Sequence, residues 1–306
     1  MTSLDLQLNG FAGVDFNVDD LSLADLRRGC AAFQAQGGHR FLATIITDRL
    51  DLMVARIARL AAHHAADAAV RDAVAGIHVE GPCISPLPGF VGAHPPAHVI
   101  PATVATARQL VEAGRGLVRL VTLAPECDAG LATTAWLAGQ GILVSAGHCD
   151  ASAERLEEAV AAGLAAFTHL GNGCPLLLHR HENIIQRVLS TPGLRWVMVI
   201  PDGTHVPRRV LADYIRRIGI DRTIAVTDAT AAGGMGPGRY TLAGQEVIVG
   251  DDGAAWAADR SHFVGSTASM ADVRRVLREV GLSAAEVDQV TVTNPARAIG
   301  AGATPA

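Results

Sequence analysis

Lysine is absent from this sequence: all 25 basic side chains are arginine, against 30 acidic side chains, and the net charge is −5. No arginine-rich tract or basic stripe stands out along the chain. Nucleic-acid-binding proteins carry such clusters because they neutralise phosphates, so we do not expect a nucleic-acid partner. The chain is 49% hydrophobic and 18% charged, a balance that excludes a disordered or collagen-like protein.

Long apolar runs are missing as well. The longest, at residues 159–167 and 194–200, are much shorter than the about 18 residues of a membrane span. The first residues, from Met1 to Asp5, meet an acid at once and lack the basic start of a secretory leader. From these features we expect no membrane association and no signal peptide.

Cysteine is scarce. The five cysteines are odd in number and form no Cys-x-x-Cys motif, so a disulfide scaffold is not expected, and a reducing cytoplasm fits this usage. We interpret Cys83, Cys149 and Cys174 as small buried hydrophobic residues rather than metal ligands. The twelve histidines, by contrast, are an unusual feature of the composition.

Short apolar segments alternate with longer helical patterns, and no linker interrupts them. The predicted strands are residues 4–8, 40–46, 75–79, 117–122, 142–145, 165–168, 194–200 and 222–227. The predicted helices between them are residues 22–36, 48–66, 102–113, 129–139, 152–162, 183–189 and 207–218. This order predicts an α/β fold in the form of a (β/α)₈ barrel, with a doubly wound open sheet as the alternative. The open sheet favours a glycine-rich turn after its first strand, and residues 9–13 match such a turn poorly.

The segment after the eighth predicted strand has a different pattern. A glycine-rich turn at 233–238 precedes an alternating stretch, which predicts a β-hairpin insert at about 239–250. Helical patterns follow, so we expect C-terminal helices at about 266–299. We expect residues 1–306 to form one domain.

The carboxyl ends of the predicted strands are polar, and in a barrel these ends surround the active site. Glu80 ends the third strand, His148 the fifth and His169 the sixth. One carboxylate with two imidazoles suits Zn²⁺ or Fe²⁺ and leaves positions open for water. The alternative interpretation is that these three residues are buried polar groups satisfied by local hydrogen bonds.

Four further features have two interpretations each. Asp228, at the end of the last strand, is placed to act as a general base and then acid, or it caps a turn. His78 shares its strand with Glu80; it lies in an inner layer behind the metal ligands or, as we favour, is a satisfied core histidine. His94 lies in a loop rich in proline and glycine, of the kind that forms barrel active sites, or it is a surface residue. Residues 179–181 bind an anion or form a solvated loop.

Nine segments, in chain order, resemble the N-acetylglucosamine-6-phosphate deacetylases of the amidohydrolase superfamily. They include His-Val-Glu-Gly-Pro at 78–82, Gly-His at 147–148, Thr-His-Leu at 168–170, Asp-Gly-Thr-His at 202–205, Val-Thr-Asp-Ala at 226–229 and Asn-Pro-Ala-Arg at 294–297. The resemblance implies a deformed (β/α)₈ barrel of the metal-dependent amidohydrolase type. Members of this family usually add a small β-sandwich from both chain ends. This chain opens at barrel strand one and stops soon after residue 297, so we expect the barrel without the sandwich.

The resemblance also implies the active-site residues. One divalent metal, Zn²⁺ or alternatively Fe²⁺, would be held by Glu80, His148 and His169. Asp228 would be the catalytic acid and base, and His94 would polarise the acetyl carbonyl. The implied substrate-binding residues are Ala93, His94, Asn172, Gly173, Arg180, His205, Phe263, Val264 and Gly265. Many amidohydrolases carry His-x-His on strand one for a second metal, but this chain has the weaker amide ligands Gln7 and Asn9, which favours a single metal.

The implied function is hydrolysis of a linear amide in which N-acetylglucosamine-6-phosphate loses its acetyl group. One alternative is an amidohydrolase acting on a different N-acyl or cyclic amide, and another is a catalytically silent sugar-binding barrel. Two departures bear on the substrate: Gly173 and Cys174 replace the family's Ala and Met, and loop 85–90 lacks basic residues. The resemblance also suggests a homodimer.

Overall fold

The computed structural model describes residues 2–300, and parallel strands form its central sheet. In chain order the strands β1 to β8 are Leu4–Leu8, Arg40–Ile46, Val74–Glu80, Val118–Leu123, Leu143–Ala146, Ala166–Phe167, Trp196–Val199 and Thr223–Ala225. Each strand pairs with the next one along the chain. The first and last strands are also joined. Directly after β1, the Asn9 N–H donates at 2.8 Å to the carbonyl oxygen of Ala229, which follows β8. The predicted (β/α)₈ barrel is therefore confirmed, and the doubly wound alternative is wrong.

Helices cover the outside of the barrel. The α-helices within residues 2–300 are Leu23–Ala35, Leu50–Ala66, Ala68–Ala73, Val104–Ala113, Ala132–Gly139, Ala153–Ala161, Ile184–Ser190, Arg208–Ile218, Met270–Glu279, Ala284–Asp288 and Asn294–Ala298. Several begin at capping side chains, such as Ser22, which accepts the N–H of Asp25, and Ser152, which accepts that of Arg155. Caps of this kind satisfy N–H groups that have no partner in the first helical turn.

Two differences from the predicted strands are small. Strands β7 and β8 are shorter than the predicted 194–200 and 222–227. A short antiparallel pair, Gly10–Phe11 with Val14–Asp15, was not predicted because two-residue strands are too short to show a period. This pair follows β1 directly and lies on the side of the barrel where the strands end.

The core has two layers on either side of the sheet. Inside the barrel, apolar side chains from alternate strand positions pack together, including Leu6, Leu42, Leu120, Met198 and Ile224. A larger layer packs between the outer face of the sheet and the helices. Each fully buried Leu or Ile side chain stabilises the fold by about 1.5–3 kcal/mol. Toward the carboxyl ends of the strands the barrel interior becomes polar.

An insert follows the barrel strands. Strands Gly238–Leu242 (β9) and Gln245–Val249 (β10) form an antiparallel hairpin, to which Ala255–Ala257 (β11) is added. Ala243 and Gly244 make the hairpin turn with φ values of 49° and 80°, which suits the twist of paired strands. Strand β11 was not predicted. Leu242, Val247 and Val264 pack against Ile46 of the barrel, so the insert shares a small core with the barrel.

Residues 2–300 contain no β-sandwich: the two sheets beside the barrel are the three-stranded insert and the short pair after β1. Within the same residues, no helix combines the length and apolar character needed to cross a membrane. That residues 1–306 form one domain stays a prediction, and Met1 and residues 301–306 lie outside the described part of the chain.

Candidate metal centre and substrate cavity

A cavity of about 470 Å³ lies at the carboxyl ends of the barrel strands. We call five residues at its base the floor: Asn9, Glu80, His148 and His169, which are buried, and Asp228, which is half-buried. Loop 89–94 and the insert form much of its wall. We call residues 171–182 the outer loop, and residues 171–176 of this loop also line the cavity. The strand ends that were polar in sequence therefore meet in one place, as a barrel requires.

Glu80, His148 and His169 converge on one point of the floor. Glu80 Oε1 lies 3.1 Å from His169 Nε2 and 3.4 Å from His148 Nε2. The two Nε2 atoms are 3.0 Å apart. Three electron-pair donors this close, each buried, are the ligand set expected around a divalent cation.

The ring of His148 is oriented for this role. Its Nδ1 lies 2.9 Å from the Phe90 carbonyl oxygen. A carbonyl oxygen only accepts, so Nδ1 carries the proton and Nε2 keeps its lone pair for a metal. His169 Nδ1 is buried without a hydrogen-bond partner among the described residues. The two histidines are thus held differently, although both direct Nε2 to the same point.

Gln7 and Asn9 occupy hydrogen bonds rather than a second ligand cluster. Gln7 Nε2 donates to Glu80 Oε1 at 3.0 Å, and Gln7 Oε1 accepts from the Thr168 hydroxyl at 2.8 Å. Asn9 Nδ2 donates to Asp228 Oδ1 at 2.8 Å. Both amides therefore orient floor carboxylates, and the donor chemistry of the floor fits one metal ion at the Glu80 cluster.

The backbone of the floor is strained. His148, His169 and Asp228 all have positive φ, at 49°, 33° and 49°. Such conformations cost of order 1–3 kcal/mol each for residues other than glycine, and they cluster at functional sites. Gly173 approaches the cluster of Glu80, His148 and His169 so closely that a Cβ at this position would lie 2.9 Å from His148 Nδ1. The family's Ala at this position would therefore require a local shift here.

Asp228 lies beside the metal cluster. Burial, together with the negative charge of Glu80, raises the pKa of its carboxyl to about 7. Its Oδ1 accepts from Asn9, which leaves Oδ2 for a reacting group. A carboxyl whose pKa lies near neutrality exchanges a proton in either direction at physiological pH, as a general acid and base must.

His94 lines the same cavity and lies beside His148, with 4.4 Å between the ring centroids. The Thr47 N–H donates to its Nδ1 at 3.3 Å, so Nε2 carries the proton of the neutral ring. Burial and the neighbouring His148 lower the pKa of His94 to about 3, which keeps the ring neutral. Its Nε2 lies 4.0 Å from Glu80 Oε2. A neutral N–H donor therefore faces the point where the metal ligands converge.

His205 lies in a second polar part of the cavity. Its Nδ1 is 2.6 Å from Asp202 Oδ2. Burial disfavours the imidazolium, but the hydrogen bond to Asp202 outweighs burial and raises the pKa of His205. The Phe263 ring lies 4.9 Å from the His205 ring, between centroids. This part of the cavity can hold a positive charge for an anionic substrate group.

Most of the predicted substrate-binding residues line the cavity, namely Ala93, His94, Asn172, Gly173, His205, Phe263 and Gly265. Two do not. Arg180 is exposed on the outer loop, and Val264 is buried with its N–H donated to the Ala255 carbonyl oxygen at 3.0 Å.

His78, residues 179–181 and the cysteines were also singled out in the sequence. His78 lies inside the barrel between Thr44 and Thr122, at 3.3 Å and 2.8 Å, as a satisfied core residue. Residues 179–181 are exposed. All five cysteines are free, and Cys174 is only partly buried and lines the cavity.

Sequence reasoning missed the aromatic wall that the insert contributes. Trp256 lines the cavity with its ring 4.3 Å from that of Phe263, between centroids. His262 also lines it, although no sequence pattern distinguishes this residue from a surface histidine. The alternation of apolar residues in the hairpin at 239–250 was the one available signal, because it predicts a face that packs against the barrel.

No protein-family model matches the chain. Curated relatives do match, over 97% of its length. The N-acetylgalactosamine-6-phosphate deacetylase of Escherichia coli O157:H7 is 30% identical over 298 residues, which span 77% of that protein. The N-acetylglucosamine-6-phosphate deacetylase of Homo sapiens is 33% identical over 312 residues, which span 73% of it.

A solved structure agrees in both fold and sequence. The N-acetyl-D-glucosamine-6-phosphate deacetylase of Mycobacterium smegmatis matches with a TM-score of 0.87 and 31% identity. The match covers 98% of this chain and 78% of that one. The chain therefore spans about three quarters of the length of these relatives.

Proposed function

Because the chain belongs to the N-acetylglucosamine-6-phosphate deacetylase family of amidohydrolases, we propose that it removes the acetyl group from an N-acetylated amino sugar, with N-acetylglucosamine-6-phosphate as its substrate. Water cleaves the amide C–N bond and releases glucosamine-6-phosphate and acetate. The observation that carries this proposal is the buried cluster of Glu80, His148 and His169 in one cavity with Asp228.

Glu80, His148 and His169 would hold one divalent metal ion. The close approach of three buried donors and the free Nε2 lone pair of His148 fit such an ion. We propose Zn²⁺, with Fe²⁺ as the alternative, because a carboxylate with two imidazoles accommodates both. When bound, the ion supplies a Lewis acid that polarises the scissile carbonyl and makes water more acidic.

Asp228 moves the proton in this proposal. Its Oδ2 takes a proton from the attacking water while Asn9 holds Oδ1. The same oxygen returns the proton to the sugar nitrogen as the C–N bond breaks. The raised pKa of Asp228, about 7, suits both transfers because neither direction is strongly uphill near neutral pH.

His94 binds the acetyl carbonyl oxygen. Its neutral ring donates from Nε2 because Thr47 occupies Nδ1. The ring is fixed before substrate arrives, and such preorganised donors stabilise the negative charge that develops on the oxygen. The low pKa of His94 prevents it from competing with Asp228 for the proton.

His205 and Arg180 would bind the sugar phosphate. The Asp202 carboxylate supports a positive charge on His205 inside the cavity. Arg180 lies outside the cavity of its own chain, so its role depends on a movement of the outer loop or on a second subunit in the proposed homodimer. The free cysteines support the further proposal that the protein works in the cytoplasm.

Acetate release tests the proposal directly. Protein of assayed metal content is incubated with N-acetylglucosamine-6-phosphate and, in parallel, with unphosphorylated N-acetylglucosamine. We expect about one metal per chain and a strong preference for the phosphate. Acetate from neither compound, at full metal content, would contradict the substrate assignment and point to a different N-acyl compound or to a silent binding barrel.

A further inference from the structure

The insert makes a side-chain hydrogen bond to the loop that carries His94. Gln245, the first residue of β10, donates from Nε2 to the Ala93 carbonyl oxygen at 3.0 Å. The two residues are 152 positions apart, and both are partly buried. Within residues 2–300, the main chain of Gly92 and Ala93 makes no other hydrogen bond. Pro95 and Pro96 follow and have no N–H to donate.

Loop 90–94 touches the reacting centre on two sides. The Phe90 carbonyl oxygen accepts from His148. Gly92 lies against the same ring, since a Cβ added to it would be 3.0 Å from His148 Cε1. The His94 ring lies 4.4 Å from the His148 ring, between centroids. A small displacement at Ala93 therefore moves the His94 ring relative to the metal ligands.

The hairpin that supplies Gln245 is itself anchored to the barrel. The Ala243 N–H, in the hairpin turn, donates to Asp15 Oδ2 at 2.7 Å, and Asp15 is buried in the short pair after β1. Leu242 is 3% exposed and packs with Ile46. Gln245 thus extends from a fixed support rather than from a free strand.

We propose that Gln245 is a positioning residue for His94: its amide holds Ala93 so that the His94 ring stands at the right place for the acetyl carbonyl. The expected loss of kcat rests on the proposed deacetylation. The position of the His94 ring, by contrast, is a property of the folded chain and does not depend on the substrate. Thr47 fixes the rotation of the ring through Nδ1. The His94 N–H donates to the Val91 carbonyl oxygen at 3.1 Å within the loop, and Gln245 ties the adjacent Ala93 to the insert.

Gln245→Met tests the proposal because methionine keeps the length and packing of the side chain and removes the donor. We expect kcat to fall about ten-fold, since small misplacements of a reacting group are costly, while KM changes by less than about two-fold. The thermal midpoint and metal content stay as in the parent protein. The matched control is Glu246→Gln, which changes the next residue of the strand and affects only an exposed pair with Arg239.

A double-mutant cycle separates positioning from a general structural effect. In a His94→Ala background, Gln245→Met should cost less than about two-fold, because the group it positions is gone. The same ten-fold loss in both backgrounds, or no loss in either, would overturn the proposal.

A second readout does not depend on catalysis. Imidazole NMR, assigned with the His94→Ala variant, should show the His94 resonances displaced in Gln245→Met and those of His78 unchanged, because Thr44 and Thr122 hold His78. Unchanged His94 resonances would overturn the proposal even if the parent protein released no acetate, which would be a failure of the proposed function alone.

Discussion

Glu80 on the cavity floor lies within 3.4 Å of three polar side chains, whereas Leu176 and Leu177 on the outer loop are 96% and 92% exposed. On the floor, each carboxylate is oriented by an amide or imidazole and the backbone is held in costly left-handed conformations. On the outer loop, Leu176, Leu177 and the histidines and arginine at 179–181 face solvent. The floor is built to fix reacting atoms, and the outer loop is free to change which molecule reaches them.

The largest expected effect comes from removing the Glu80 carboxylate from the floor. Glu80→Ala removes the one carboxylate of the metal cluster, so we expect metal to be lost and acetate release to fall to background. Metal content by elemental analysis and acetate release are measured on the same sample. Glu157→Ala, on an exposed helix face, is the control. Full metal content in Glu80→Ala would show that the ligand set is wrong.

Asp228→Asn separates proton transfer from metal binding within the floor. Asparagine still accepts the hydrogen bond from Asn9 but cannot take a proton. We expect kcat to fall by roughly 10²- to 10⁴-fold with metal content unchanged. A rate near that of the parent protein would mean that another group is the base.

Asp5, near the start of β1, gives the stability of the barrel a pH dependence. Burial raises the pKa of Asp5 to about 7 from 3.8, so the folded state prefers the protonated form. Its contribution to stability is fully present below pH 4 and is lost as the pH rises through 7, by up to about 1.4 kcal/mol per pH unit.

Asp5→Asn should remove this dependence. Between pH 5 and 8, the free energy of unfolding of the metal-free parent should fall relative to that of the variant, as measured by urea titration. Asp251→Asn, an exposed change in the insert, should run parallel to the parent. Equal slopes for Asp5→Asn and the parent would mean that Asp5 ionises normally.

The smallest effect is expected on the outer loop. Arg180→Ala should raise KM for N-acetylglucosamine-6-phosphate by no more than about ten-fold, because an exposed charge contributes little, and should leave the unphosphorylated sugar unaffected. Arg115→Ala, at the opposite end of the barrel, is the control. A large loss of kcat in Arg180→Ala would mean that the outer loop takes part in the chemical step, and the proposed difference between the outer loop and the floor would be wrong.

The residues of the floor could be predicted from sequence, because they follow strands with clear local patterns, whereas much of the cavity wall could not. Strands β1 and β2 begin and end at the predicted residues, because their apolar patterns are local and turn residues bound them. Once the strands are placed, the barrel topology alone brings residues 80, 148 and 169 to one end.

Trp256 and His262 escaped prediction because the strand and the turn that carry them are too short to show a periodic pattern. Strand β11 has only three residues and exists through its pairing with β10. Likewise, no local pattern indicates that His148 and His169 adopt positive φ. Arg180 was assigned from resemblance, and the outer loop that carries it has no periodic pattern to fix its direction.

The oxygen that orients His148 belongs to the main chain of Phe90, and this has a consequence for genetics. Every amino acid supplies the same carbonyl, so a saturation screen at position 90 would register only the loss of the phenyl ring from the core. The contact would remain invisible to mutational scanning. A backbone ester introduced by chemical synthesis, which weakens that oxygen as an acceptor, would reveal it.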